Sequence, residues 1–196
     1  MPIVGSFAGA SARAYGLGAG GAIGDFESIQ TITVGTPVAS ITFTSIPATY
    51  THLQIRFSCQ TSNTTNSGLG NDRLNGYFNA DETATNYYSH YIIGNGSASS
   101  AAEQVAKWAG NGTRNSMLGW GAGVIDILDY ANTNKFKTTR AIEGFNNNDT
   151  NASYNSARLT SGLWRDTSAI TSIKIAPEAA VNFKQYSSFA LYGVKA

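Results

Sequence analysis

From Phe26 onward, apolar and polar side chains alternate in short runs that turn residues cut apart. The clearest run is HLQIRFSC. Successive Cβ atoms of a strand point to opposite sides, so Leu53, Ile55, Phe57 and Cys59 share one face while His52, Gln54, Arg56 and Ser58 share the other. SIQTITV runs into Gly35, Thr36 and Pro37, and ASITFTSIP alternates Ile41 and Phe43 with Thr42 and Thr44 until Pro47 stops it. RLNGYFNA, GVIDILDY, FKTTRAIEGF, YNSARLTS, AITSIKIA and QYSSFALYGV continue the series, for about eight to ten strands in all. The last run carries Phe189, Leu191 and Tyr192 almost to the final residue, and we expect it to close a sheet. TNYYSHYIIG and AAEQVAKWA fit no single period, and the second has the length of a short helix. Short strands with Gly, Asn and Pro between them predict an all-β fold, a single jelly-roll-like β-sandwich over residues 25–196. No internal repeat of fixed period suggests a solenoid or propeller.

Residues 1–24 break this pattern. MPIVGSFAGASARAYGLGAGGAIG is mostly Gly and Ala, with Ile3, Val4, Phe7, Arg13, Tyr15 and Leu17 spaced through it. Glycine loses more backbone entropy on ordering than any other residue, so such a segment gains order against another surface more readily than alone. We expect an extended docking arm whose anchors Ile3, Phe7, Arg13, Tyr15 and Leu17 press into a neighbouring subunit.

Charge narrows the partners. Only 13% of the 196 residues are charged and the formal net charge is +1, which gives no electrostatic footprint for nucleic acid. No apolar stretch approaches the ~20 residues of a membrane span, so membrane insertion is not expected. The opening residues lack the basic and apolar regions of a secretory leader, and none is expected. Cys59 is the sole cysteine, which rules out an internal disulfide and argues against a cysteine-based zinc site. Its place in an apolar alternation marks it as a buried structural thiol.

Catalytic equipment is sparse. Gly16, Gly18 and Gly21 match G-x-G-x-x-G, but no strand precedes them and no helix pattern follows, as a dinucleotide site would need. His52 and His90 are the only histidines, and no nucleophile elbow or paired-histidine zinc motif occurs. Asp126 with Asp129, and Asp81 with Glu82, are close enough in sequence to consider for glycoside hydrolysis, yet a solvated or turn-forming role accounts for each pair. NNNDTN, residues 146–151, gathers oxygen ligands without the spaced carboxylates of a calcium loop. No cofactor, metal or catalytic residue is therefore expected. Aromatic rings remain as candidate ligand or interface residues: Tyr87, Tyr88, Tyr91 and Trp108. Trp164, followed by Arg165 and Asp166, reads as a core or interface plug between two strands.

The segments GSFAGASARAYGL, ITFTSIPATYTHLQIRFS, NYYSHYIIGNG, IDILDYANTNKFKTTRAIEGF, LTSGLWRDTSAITSIKI and FKQYSSFALYGVKA together resemble a family of virion structural proteins of tailed bacteriophages, particularly phages of cyanobacteria and other aquatic bacteria. The resemblance covers nearly the whole chain and its motifs are structural. It implies a β-sandwich, a homo-oligomer with a trimer favoured, and an arm docking on other virion proteins at the particle exterior. The expected role is a non-enzymatic tail or neck fibre or appendage subunit. A capsid decoration protein and a carbohydrate-binding module for host surface glycans are the alternatives.

Overall fold

The computed structural model describes residues 25–64, 71–105, 111–113, 119–145 and 155–195. The docking-arm anchors and Trp108 lie outside these residues, as does the NNNDTN loop. Twelve strands follow one another: β1 (Phe26–Thr33), β2 (Ile41–Phe43), β3 (His52–Cys59), β4 (Asn71–Phe78), β5 (Tyr87–Gly94), β6 (Ser99–Val105), β7 (Asn111–Thr113), β8 (Gly121–Leu128), β9 (Lys137–Phe145), β10 (Ser156–Trp164), β11 (Ile173–Pro177) and β12 (Ser188–Val194). Among the described residues the only helical element is a single 3₁₀ turn, Ala84–Asn86. The ambiguity of AAEQVAKWA is thereby resolved as strand over its described part. Ser99–Val105 pairs with β5 along its whole length, and ladder hydrogen bonds override a weak helical pattern.

The chain is an all-β sandwich of two antiparallel sheets. An eight-stranded sheet runs β1-β12-β3-β8-β9-β10-β5-β6, and a four-stranded sheet runs β2-β11-β4-β7. The chain crosses between sheets at β1–β2–β3, β3–β4–β5, β6–β7–β8 and β10–β11–β12, which gives the jelly-roll-like weave. The terminal strand β12 closes the large sheet from inside, since it pairs with β1 on one side and β3 on the other.

Alternation builds the core. Leu53, Ile55, Phe57 and Cys59 of β3, Ile125 and Ile127 of β8, and Phe189 and Leu191 of β12 all point inward and are buried. Ile41, Phe43, Leu74, Phe78, Ile173 and Ile175 answer them from the small sheet. Each such side chain contributes about 1.5–3 kcal/mol through the apolar surface it removes from water. Gly193 is required by its neighbour, because a Cβ there would lie 2.3 Å from the Tyr50 ring.

Polar side chains tie the loops to this core. Trp164 is buried beside Phe78 and Tyr87, with ring centroids 5.3 and 6.4 Å away, and its indole N–H donates to Asp81 Oδ2 at 2.8 Å. It is a core plug. Burial opposes the Asp81 charge, yet hydrogen bonds from Trp164, Asn86 and Thr83 outweigh it and hold the carboxyl down at about 2. Lys137 is fully buried, and its ammonium donates to the carbonyls of Asn132, Lys135 (3.1 Å) and Thr167 (2.9 Å). Burial pulls its pKa down, while three acceptors satisfy its three donors and fasten the β8–β9 loop to the β10–β11 loop.

Candidate interaction face

In a sheet, residues opposite one another across strands point the same way, so register sorts the outward side chains of the large sheet into rows. One row is small: Ser58, Ala122, Gly144, Ala157, Gly94 and Ser99. The next is largely apolar: Arg56, Val124, Ile142, Leu159, Ile92 and Ala101. The third is polar: Gln54, Asp126, Arg140, Ser161, His90 and Glu103. Ile142 is 68% exposed, Ile92 59% and Leu159 48%, and they are direct cross-strand neighbours on β9, β10 and β5. Scattered apolar side chains are ordinary on a protein surface, but a contiguous band of them is a contact feature. Leu159 stands as a ridge between two depressions. One of about 490 Å³ is lined by His90, Ile92, Ala101 and Glu103, and one of about 410 Å³ by Val124, Asp126, Arg140 and Ile142.

Beneath this band the inner face carries a polar patch, flanked along the same strands by buried Tyr87, Ile93, Ala141, Phe145 and Trp164. Thr139 and Glu143 of β9, Arg158 and Thr160 of β10, and Ser89 of β5 are buried, with Glu143 only 3% and Arg158 5% exposed. Arg158 Nε lies 3.5 Å from Glu143 Oε1 and donates to Thr160 Oγ1 at 3.0 Å, while Thr160 Oγ1 donates to the same carboxylate oxygen at 3.3 Å. The guanidinium also lies 3.9 Å from the Tyr91 ring centroid. Burial pushes the Glu143 carboxyl up to about 7, and the attraction of Arg158 and the Thr160 hydrogen bond only partly offset it. Gly123 marks the boundary between the apolar and polar inner halves. A Cβ there would sit 2.7 Å from the Phe57 ring and 2.8 Å from Glu143 Cβ.

The expected aromatic ligand face does not assemble. Strand alternation turns Tyr87 and Tyr91 inward and Tyr88 outward. Tyr87 is fully buried, donating its hydroxyl to Asp81 O at 2.8 Å and accepting from Phe78 N at 3.0 Å. Tyr91 is occupied by Arg158, and half-buried Tyr88 has the Arg165 guanidinium 5.6 Å away. The reading of Tyr87 as a ligand or interface ring is thus corrected, because its ring belongs to the core. The carboxylate pairs do not converge either. Asp126 accepts from Gln54 Nε2 at 2.8 Å on the outer face, whereas Asp129 sits in the following turn with Lys135 and beside His52. Asp81 is a structural anchor, and Glu82 pairs with Lys174 at 2.6 Å. Burial, with Asp72 and Glu143 nearby, raises the Cys59 thiol and keeps it from acting as a thiolate. Among the described residues no group of His, Cys, Asp and Glu could hold a metal ion, and no helix is long and apolar enough to cross a membrane.

The residues that sequence reasoning missed are Ile142, Leu159 and Ile92. The available signal was a conflict within β9 and β10. Glu143 and Arg158 each alternate with an apolar neighbour, so neither strand offers a clean apolar face. No protein-family model matches the chain, and no characterised protein is significantly similar to it.

Proposed function

We propose that the chain is a non-enzymatic structural subunit of a tailed-bacteriophage virion, a tail or neck appendage held to the particle by residues 1–24. The virion context comes from the sequence resemblance. The observation that supports an assembly role is the reversed half of the large sheet, where Ile142, Leu159 and Ile92 face outward and Glu143 and Arg158 face inward. A domain that works alone hides its apolar side chains and solvates its charges. The reverse arrangement suits a face that is covered when the subunit is in place. A host glycan is not part of this reading, because the tyrosines expected to stack on sugar lie on opposite sides of β5.

Quantitative mass spectrometry of purified particles tests the proposal. The expected result is a few to a few dozen copies per particle, with a variant lacking residues 1–24 absent from particles. Hundreds of copies would assign the chain to the capsid surface instead. Absence from particles would overturn the virion reading, and release of sugar from host polysaccharide by the purified protein would overturn the non-enzymatic one.

A further inference from the structure

We infer that the outward face of β8, β9, β10, β5 and β6 packs against the same face of a second copy of this chain, about a two-fold axis lying along the Val124–Ile142–Leu159–Ile92 row. The inference rests on the structural-subunit reading and names its partner.

Three features of the face point to a second copy. The first is the order of its rows. A two-fold rotation about the apolar row lays that row on itself and exchanges the small row with the polar row. Arg140 then stands over Gly144 of the second copy, Asp126 over Ala122 and His90 over Gly94, so long side chains meet the positions with least bulk. Two twisted sheets packed face to face keep their strands within about 30° of each other, which preserves this match near the axis. The second feature is charge. Arg140 on the face and Arg56 of β3 at its edge balance Asp126 and Glu103, so two identical surfaces meet without strong repulsion. The third is size. Its five strands, spaced ~4.8 Å apart and about eight residues long, present on the order of 600 Å², at the lower end of the roughly 600–1,000 Å² that each partner buries in a specific interface.

A two-fold pair also fits better than the trimer expected from the resemblance. A ring needs a second, different surface that matches the first. The outward face of the small sheet presents Thr42, Lys174, Arg73, Asn75 and Tyr77, a polar surface that offers the apolar row no counterpart.

Sedimentation equilibrium on the full-length protein, over a hundredfold range of concentration, tests the inference. The wild-type chain is expected to reach the mass of a dimer. Leu159→Arg and Ile142→Arg should each weaken association by at least ~100-fold, since a charge buried at the centre of an apolar contact is among the costliest substitutions. Both positions are exposed in the single chain, so circular dichroism should be unchanged; if either arginine variant unfolds, Leu159→Ser reads the same loss more mildly. Ile142→Cys should join to its own copy through a short bismaleimide, and Arg140→Cys should do so less readily, because only row residues face themselves across the axis. A wild-type chain that stays monomeric would overturn the inference, as would a dimer indifferent to Leu159→Arg or a cross-link mapped from position 142 to residues 1–24. A monomeric chain present in particles at normal copy number would remove the homotypic pair and leave the structural-subunit reading standing. A dimer absent from particles would do the opposite.

Discussion

In the β12–β3–β8 half of the large sheet, Phe189, Leu191, Leu53, Ile55, Phe57, Ile125 and Ile127 point into the sandwich. Their outward neighbours form a polar chain, with Arg56 donating to Gln54 at 2.9 Å and Gln54 to Asp126 at 2.8 Å. The Arg56 guanidinium also covers the stacked rings of Phe26 and Tyr192. In the β9–β10–β5 half a polar patch of Thr139, Glu143, Arg158, Thr160 and Ser89 lies inside among buried Tyr87, Ile93, Ala141, Phe145 and Trp164, while Ile142, Leu159 and Ile92 lie outside. The first half is explained by the sandwich alone. The exposed row of the second is accounted for by the proposed covering, because apolar side chains left in water forgo the free energy of burial.

The sharpest separation of the halves comes from core truncation. Phe57→Ala in the ordinary half should cost about 3–5 kcal/mol in urea denaturation, since it opens a cavity beside Phe189. A cost under ~1 kcal/mol there would mean that the ordinary half is not the stabilising one.

Breaking the buried pair probes the reversed half. Arg158→Leu should destabilise the protein by roughly 3 kcal/mol or more above pH 7, because Glu143 would keep a buried charge without its guanidinium. Below pH 4.5 the same substitution should cost much less. If the penalty were equal at both pH values, the carboxylate would not be what Arg158 compensates.

The pH dependence of the wild-type protein carries a smaller effect of known sign. The folded Glu143 carboxyl titrates near 7 against an ordinary 4.5, so the folded chain holds a proton that the unfolded chain loses. Its contribution is full below 4.5, declines as pH rises towards 7 and is then level. Glu143→Gln should remove that decline in denaturation midpoints measured across the interval. Asp81, held down at about 2 by Trp164 and its other donors, works the other way: its contribution is full above 3.8 and is lost as pH falls through 2. A decline that persists in Glu143→Gln would assign it to another group.

The smallest effect belongs to the exposed row. Ile142→Thr and Leu159→Thr, assayed on the diluted single chain, should change stability by no more than ~0.5 kcal/mol. A larger loss would show that the row is held within the chain itself, and the contrast between the halves would fail.

The ordinary half was legible in the sequence because β3 segregates its apolar side chains. Leu53, Ile55, Phe57 and Cys59 all alternate with polar residues, and one register alone buries them. The all-β architecture and the Trp164 plug were legible for similar reasons. The three-residue strands β2 and β7 are too short to carry a period of their own. In β9 the alternating sets are Lys137, Thr139, Ala141, Glu143, Phe145 and Thr138, Arg140, Ile142, Gly144, so local pattern gives no decision and pairing with β8 and β10 makes it. The burial of Lys137 was illegible because its acceptors are backbone carbonyls from two loops, one of them thirty residues away. The tyrosines of β5 lie close in sequence, but strand alternation divides them between two faces.

The central claim, that the outward face of β9, β10 and β5 is covered when the subunit is assembled, is tested most directly by the thiol reactivity of Leu159→Cys. Buried Cys59 serves as the unreactive internal reference. The introduced thiol should react readily with maleimide in dilute solution and become protected as concentration rises or when the protein is incorporated into particles. Equal reactivity in the dilute, concentrated and particle-bound protein would contradict the account.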